Sequence, residues 1–229
     1  MPIRRAVDRL LAASLLALSC SLAIAQQPRP PEPPTQQQVT AFFRAVQLND
    51  ENTVREMVGR VVNANELNPL GGEPALVVAV REGSNRAFDA LLRHPGTDLE
   101  RKALNGNTAL MMAAYKRDED KARALLEKGA KVNQPGWTAL HYAAASGDVA
   151  IARMLIARGA RLDALSPRTS GAFTPLMMAA REGQAEVAQL LLAKGARRDL
   201  KNTEGLTALQ IAERSGRADV VQALSGAAR

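Results

Sequence analysis

The sequence has a single cysteine, Cys20, in 229 residues, so a disulfide-built scaffold is excluded. Two histidines, His94 and His141, with no second cysteine leave little material for a zinc site. Aromatic residues make up only 3% of the chain: four phenylalanines, two tyrosines and one tryptophan. Phosphate-cradling glycine motifs are missing, and no nucleophile stands near a base at a spacing that suggests a preorganised pocket. No catalytic residue, metal or cofactor is therefore expected. What remains is 46% apolar and 23% charged, the composition of a folded body with one sizeable core, and a net charge of +7.

Part of that charge belongs to residues 1–25, which read as a secretory signal. Arg4, Arg5 and Arg9 precede an apolar stretch from about Leu10 to Ile24, and Ala23-Ile24-Ala25 supplies a small-x-small cleavage pattern. The stretch is broken by serines and falls short of the roughly 20 residues that span a bilayer. An uncleaved amphipathic anchor and a lipid on Cys20 stay open as alternatives, although Ala17 stands where a lipoprotein signal usually has leucine. Cleavage after Ala25 leaves 204 residues without cysteine and a net charge of +5. Such a body folds in an oxidising compartment without disulfide errors, and a periplasmic location is expected. Residues 26–38, with five prolines in thirteen positions, read as an extended spacer, a proline-rich docking motif being the alternative.

From Thr40 the chain repeats itself. Thr108-Ala-Leu-Met-Met-Ala-Ala, Thr138-Ala-Leu-His-Tyr-Ala-Ala, Thr174-Pro-Leu-Met-Met-Ala-Ala and Thr207-Ala-Leu-Gln-Ile-Ala-Glu are the clearest copies. Pro74-Ala-Leu-Val-Val-Ala-Val is a fifth and Thr40-Ala-Phe-Phe-Arg-Ala-Val a diverged sixth; the starts are 34, 34, 30, 36 and 33 residues apart. Each threonine suits a helix N-cap and Pro175 the first helical position, while Gly83, Gly147, Gly183 and Gly216 suit a left-handed stop. Arg117 occupies the stop position in one copy, at an expected cost of about 1 kcal/mol. Second helices follow at helical period and close at Gly129-Ala130, Gly159-Ala160 and Gly195-Ala196. From those glycines to the next threonine run 9, 15 and 12 residues, so one connection is short and the next, Asp163 to Ala172, is long.

A period near 33 with this heptapeptide resembles the ankyrin repeat, over about residues 39–229. The resemblance implies an all-α solenoid of about six helix-turn-helix units with β-hairpin fingers, and partners lying along a concave groove. It also implies that His141 braces neighbouring loops rather than acting in catalysis. Met111, Met112, Met177 and Met178 raise the thought of copper, but the pairs lie two repeats apart and packing explains them better. The run Asp118, Glu119, Asp120 reads as a solvated helix start.

The position two residues after each motif leucine projects into the groove of such an array. It holds Val78, Met112, Tyr142, Met178 and Ile211, expected as a partly exposed apolar ladder. The residue before each threonine adds Asn107, Trp137, Phe173 and Leu206. Arg81, Tyr115, Arg181 and Arg214 flank the ladder and are expected to meet a partner's carboxylates. The function expected is a non-catalytic, periplasmic scaffold that binds a protein or peptide. Exported ankyrin proteins of this kind resemble bacterial ones associated with oxidative-stress defence, some encoded beside catalases. An immunity-type inhibitor of a secreted toxin is one alternative. A binder of an anionic surface is another, set against by a charge excess read as spread through the repeats; neither nucleic acid nor membrane is expected as a partner after cleavage, and the oligomeric state is open.

Overall fold

Threonine starts and left-handed stops set most of the first helices of the computed structural model, which describes residues 33–226. The expected signal and most of the proline-rich spacer lie outside those residues. The first helices of the repeats are α1 (Gln36–Gln47), α3 (Ala75–Glu82), α5 (Ala109–Lys116), α7 (Ala139–Ser146), α9 (Pro175–Glu182) and α11 (Ala208–Arg214). The second helices are α2 (Glu51–Met57), α4 (Asn85–Arg93), α6 (Glu119–Glu127), α8 (Val149–Ala157), α10 (Ala185–Ala193) and α12 (Ala218–Gly226). Thr35 caps α1, accepting from the Gln38 N–H while Gln38 returns a bond to the Thr35 N–H. Residues 36–38 are therefore helical, and the spacer ends earlier than its glutamines suggest, because a threonine followed three residues later by glutamine forms a capping box.

Thr174 shows the repeat's start in full: its Oγ1 accepts from the Met177 N–H at 3.2 Å, and Pro175 fills the first helical position. Gly147 ends α7 at φ 78°, a left-handed conformation that favours glycine, and a β-carbon there would also push the flexible end of Gln184 aside. Arg117 holds the same left-handed conformation at φ 59° without that freedom.

Leu76, Leu110, Leu140 and Leu176 are buried, as are the alanine pairs behind them, Ala113-Ala114, Ala143-Ala144 and Ala179-Ala180. Each leucine contributes about 2 kcal/mol by leaving water. The alanines let backbones approach, so α5, α7 and α9 form the densest part of a continuous stack of first helices from α1 to α11. Met111 and Met177 are fully buried within it. At the N-terminal end Phe42 and Phe43 pack edge to face, 5.4 Å apart, and enter the same core.

The β-hairpin fingers require correction. Among the described residues there is no strand, only isolated bridges at Val58–Val62 and Leu67–Pro74. The connections are tight turns: Ala103 N–H donates to Asn107 O at 2.9 Å, and Asn202 N–H to Leu206 O at 3.0 Å. Five-residue turns of this kind leave no length for a ladder. The long connection instead folds into a 3-10 turn at Arg168–Ser170, closed by Ser166 and Phe173 bonding each other in both directions.

Candidate partner-binding surface

Trp137 precedes the α7 N-cap, and Tyr142 lies on the helix it starts. Their rings are 6.1 Å apart, and Tyr115 at the end of α5 meets Tyr142 edge-on at 6.3 Å. The only tryptophan and both tyrosines of the chain thus gather around one recess of about 440 Å³, completed by Met178, Arg181 and Glu182. Tyr115 is 58% exposed, while Trp137 and Tyr142 are half-buried. The Tyr142 hydroxyl donates to Asn107 Oδ1 at 2.5 Å, fixing its ring from the preceding connection.

His141 supports this recess from below. The Thr138 N–H lies 3.2 Å from His141 Nδ1 and can only donate, so Nδ1 is unprotonated. Nε2 then carries the proton and donates to the Phe173 carbonyl at 3.0 Å. The histidine so links one repeat to the next connection, as the resemblance implies. Burial pushes its pKa down to about 4, against the pull of the Phe173 and Ala164 carbonyls. Trp137 packs edge-on against the imidazole at 5.2 Å.

The apolar ladder requires a second correction. Val78, Met112, Phe173, Met178 and Ile211 are buried in the shared core. Neighbouring first helices pack so closely over the alanines that side chains meant for the groove are covered by the next repeat. Met178 reaches the recess only as part of its wall. Leu206 packs half-buried against the core.

The flanking arginines are also already engaged. Arg81 bonds Glu73 at 2.9 Å and Glu82 at 3.0 Å. Arg214 pairs with Glu204, and Arg181 pairs with Glu182 at 2.9 Å while its guanidinium lies 5.0 Å from the Phe173 ring centre. Glu182 and Glu73 escaped sequence reasoning, since their pairing depends on how repeats stack. Asp118 caps α6, accepting from the Lys121 N–H and pairing with the Lys121 ammonium, so the acidic run does begin a helix. His94 is not near the recess; its Nδ1 accepts from the Gly96 N–H at 3.2 Å.

A further pattern joins the connections. Asn65 Oδ1 accepts from the Asp98 N–H, Glu100 Oε1 from Lys131, Asn133 Oδ1 from Arg161 and Asp163 Oδ1 from Arg197, at 2.7–2.9 Å. Its signal in the sequence is the polar residue at matching places in Lys131-Val-Asn133 and Arg161-Leu-Asp163. The charge excess is not spread evenly either: residues 128–137, 158–173 and 194–206 hold nine Lys or Arg against three Asp or Glu, a net of +6. The earlier connections, 58–73 and 94–107, hold three against four, a net of −1.

Stacked helix-turn-helix units whose connections hold each other in register define a repeat solenoid built around an extended surface. A model of ankyrin repeats in three copies matches residues 76–166 and 162–228, and the chain belongs to the ankyrin-repeat family. It is 32% identical over 127 residues to human neurogenic locus notch homolog protein 1, covering 54% of this chain and 5% of that protein. It is 32% identical over 111 residues to the human transient receptor potential cation channel subfamily A member 1, covering 47% and 10%. Against the mouse protein fem-1 homolog A-like it is 44% identical over 69 residues, covering 29% and 11%. The chain thus matches only a small part of each relative's length. Ankyrin repeats are protein–protein interaction modules. Among the described residues no helix is long and apolar enough to cross a membrane.

Proposed function

We propose that this chain is a non-catalytic scaffold, exported to the periplasm, that holds a protein or peptide at the recess of Tyr115, Trp137 and Tyr142. The observation that carries this reading is the gathering of every tyrosine and the sole tryptophan at one concave site in a chain poor in aromatics. Tryptophan and tyrosine supply large, rigid, half-wet contact area, and they dominate binding energy where they line a pocket. Arg181 and Glu182 at its rim form a neutral pair, so the recess suits an apolar or aromatic side chain better than an isolated charge. Export rests on the arginine-led apolar segment ending at Ala25 and on a following body without cysteine. A role in stress defence is part of the same proposal.

Affinity capture from a periplasmic extract tests it, comparing the wild type with Tyr115→Ala/Trp137→Ala. A protein retained by the wild type, lost by a variant with unchanged helicity, and then bound by the purified chain is expected. Equal retention by both removes the recess from the reading.

A further inference from the structure

The connection before Thr138 is six residues shorter than the one before Thr174, counted as 9 and 15 from their glycines. Between the two lies a notch of about 520 Å³ lined by Gln134, Gly136, Arg161, Leu162, Asp163 and Leu165. Leu165 is half exposed there, one of five large apolar side chains open to solvent among the described residues. Gly136 and Pro167 close the gap on one side, since a β-carbon on Gly136 would lie 3.2 Å from the proline ring. The Arg161 guanidinium reaches the Gln134 carbonyl at 3.5 Å.

Around this notch the cations fall in register. Lys131, Arg161 and Arg197 each follow a Gly-Ala pair, and each has its backbone N–H held by a side chain of the preceding connection. Lys128, Arg158 and Lys194 precede the same glycines at the C-caps of α6, α8 and α10. All six are exposed. The second set answers the negative ends of its helices, and Arg158 donates to the Leu126 carbonyl at 2.9 Å. That duty does not fall to Lys131 or Arg161, which stand beyond the helix ends.

We propose that this face, separate from the aromatic recess, is a second docking surface, and that it takes an extended acidic segment of a protein with one apolar side chain seated in the notch on Leu165. Stacked repeats are separated by about the helix-packing distance of ~8–10 Å, which three residues of extended chain span at ~3.3 Å each. A carboxylate at every third residue therefore meets Lys131 and Arg161 in successive repeats, and Arg197 beyond them where the ligand displaces its present partner Asp199, 2.8 Å away. Charge complementarity selects acidic ligands, and the details select a peptide over a nucleic acid. Asp163 and Asp199 stand among the cations, where a continuous phosphate chain would be repelled, and neither the notch nor the two cation columns include an aromatic ring on which bases could stack.

The test is fluorescence anisotropy of the purified full chain with a labelled peptide of about nine residues. The peptide carries glutamate at every third position and leucine between; the comparison probes are its glutamine twin, a single-stranded oligonucleotide and vesicles containing phosphatidylglycerol. Saturable binding of the glutamate peptide is expected, weakened about tenfold or more in Lys131→Glu/Arg161→Glu and by added salt. A smaller loss is expected for Leu165→Ser, and none for Trp137→Ala, which separates this face from the recess. Lys131→Gln/Arg161→Gln serves if charge reversal perturbs folding, and is expected to weaken binding in the same direction. Absent binding, equal binding of the glutamine twin, equal binding by the neutral variant, or tighter binding of oligonucleotide or vesicles would overturn the proposal.

Discussion

His141 shows how one residue joins stability to pH. In the folded chain it titrates near 4 instead of 6.5. Between those values the unfolded chain takes up a proton that the folded chain refuses. Stability fully present above pH 6.5 is thus lost as pH falls toward 4, by up to about 3 kcal/mol. His141→Met, which places there the residue found at Met111 and Met177, is expected to flatten that dependence in urea titrations between pH 4 and 7. An unchanged slope would assign the pH response elsewhere. Arg117 gives a second prediction at this scale. Its φ of 59° suits glycine, and its exposed side chain offers only a 4.0 Å approach to the buried Asp148. Arg117→Gly is expected to raise stability by about 0.5–1 kcal/mol, read as a higher denaturation midpoint at constant slope. Both residues were legible in the sequence, because each stands at a fixed place in a repeated motif.

At the scale of the element, the caps carry much of the definition of short helices. An eight-residue helix such as α9 is too short to stand alone in water, and its packing and its cap must hold it. Thr174 is buried and accepts from the Met177 N–H, so Thr174→Ala is expected to cost about 1–2 kcal/mol, measured by thermal or urea unfolding. The threonine starts of α5, α7, α9 and α11 and the glycine stops of α3, α7 and α9 are legible in the sequence, whereas Thr40, which reads as a cap there, lies inside α1, capped instead by Thr35. The connections are not legible there. Their lengths were countable, but whether 12 residues make a hairpin or a tight turn depends on bonds between repeats, such as Thr203 N–H to Gly171 O at 2.9 Å. The ladder of Val78, Met112, Met178 and Ile211 was misread as exposed for a similar reason. Periodicity gives the face on which a side chain lies, whereas the closeness of the next helix decides whether water reaches it.

Over the whole molecule, stability is a sum of units and interfaces, and the interfaces are unequal. The densest contacts join α5, α7 and α9, and the stack thins toward α1 and α11. Hydrogen exchange is expected to show the amides of α5, α7 and α9 as the slowest, with α1, α2, α11 and α12 opening first; uniform protection would contradict that ordering. The charge distribution also belongs to this scale. Averaged along the chain it reads as even, since the basic connections alternate with stretches in which Lys and Arg are matched by Asp and Glu. Grouped by structural position, a net of +6 stands on three consecutive connections. The partner surface was legible only in part: Trp137, Tyr142 and Tyr115 were placed together by register, while Glu182 and the pairing of each flanking arginine required the stack itself. Because Trp137 is the only tryptophan, its fluorescence reports the recess and nothing else in the chain. The most direct measurement is therefore a titration of the purified chain with its captured partner, following tryptophan emission against a partner fragment without tryptophan. A saturable blue shift, abolished together with binding in Tyr115→Ala, is expected as the half-buried indole loses its water. Saturated binding that leaves the emission of Trp137 unchanged would contradict a partner seated in the aromatic recess.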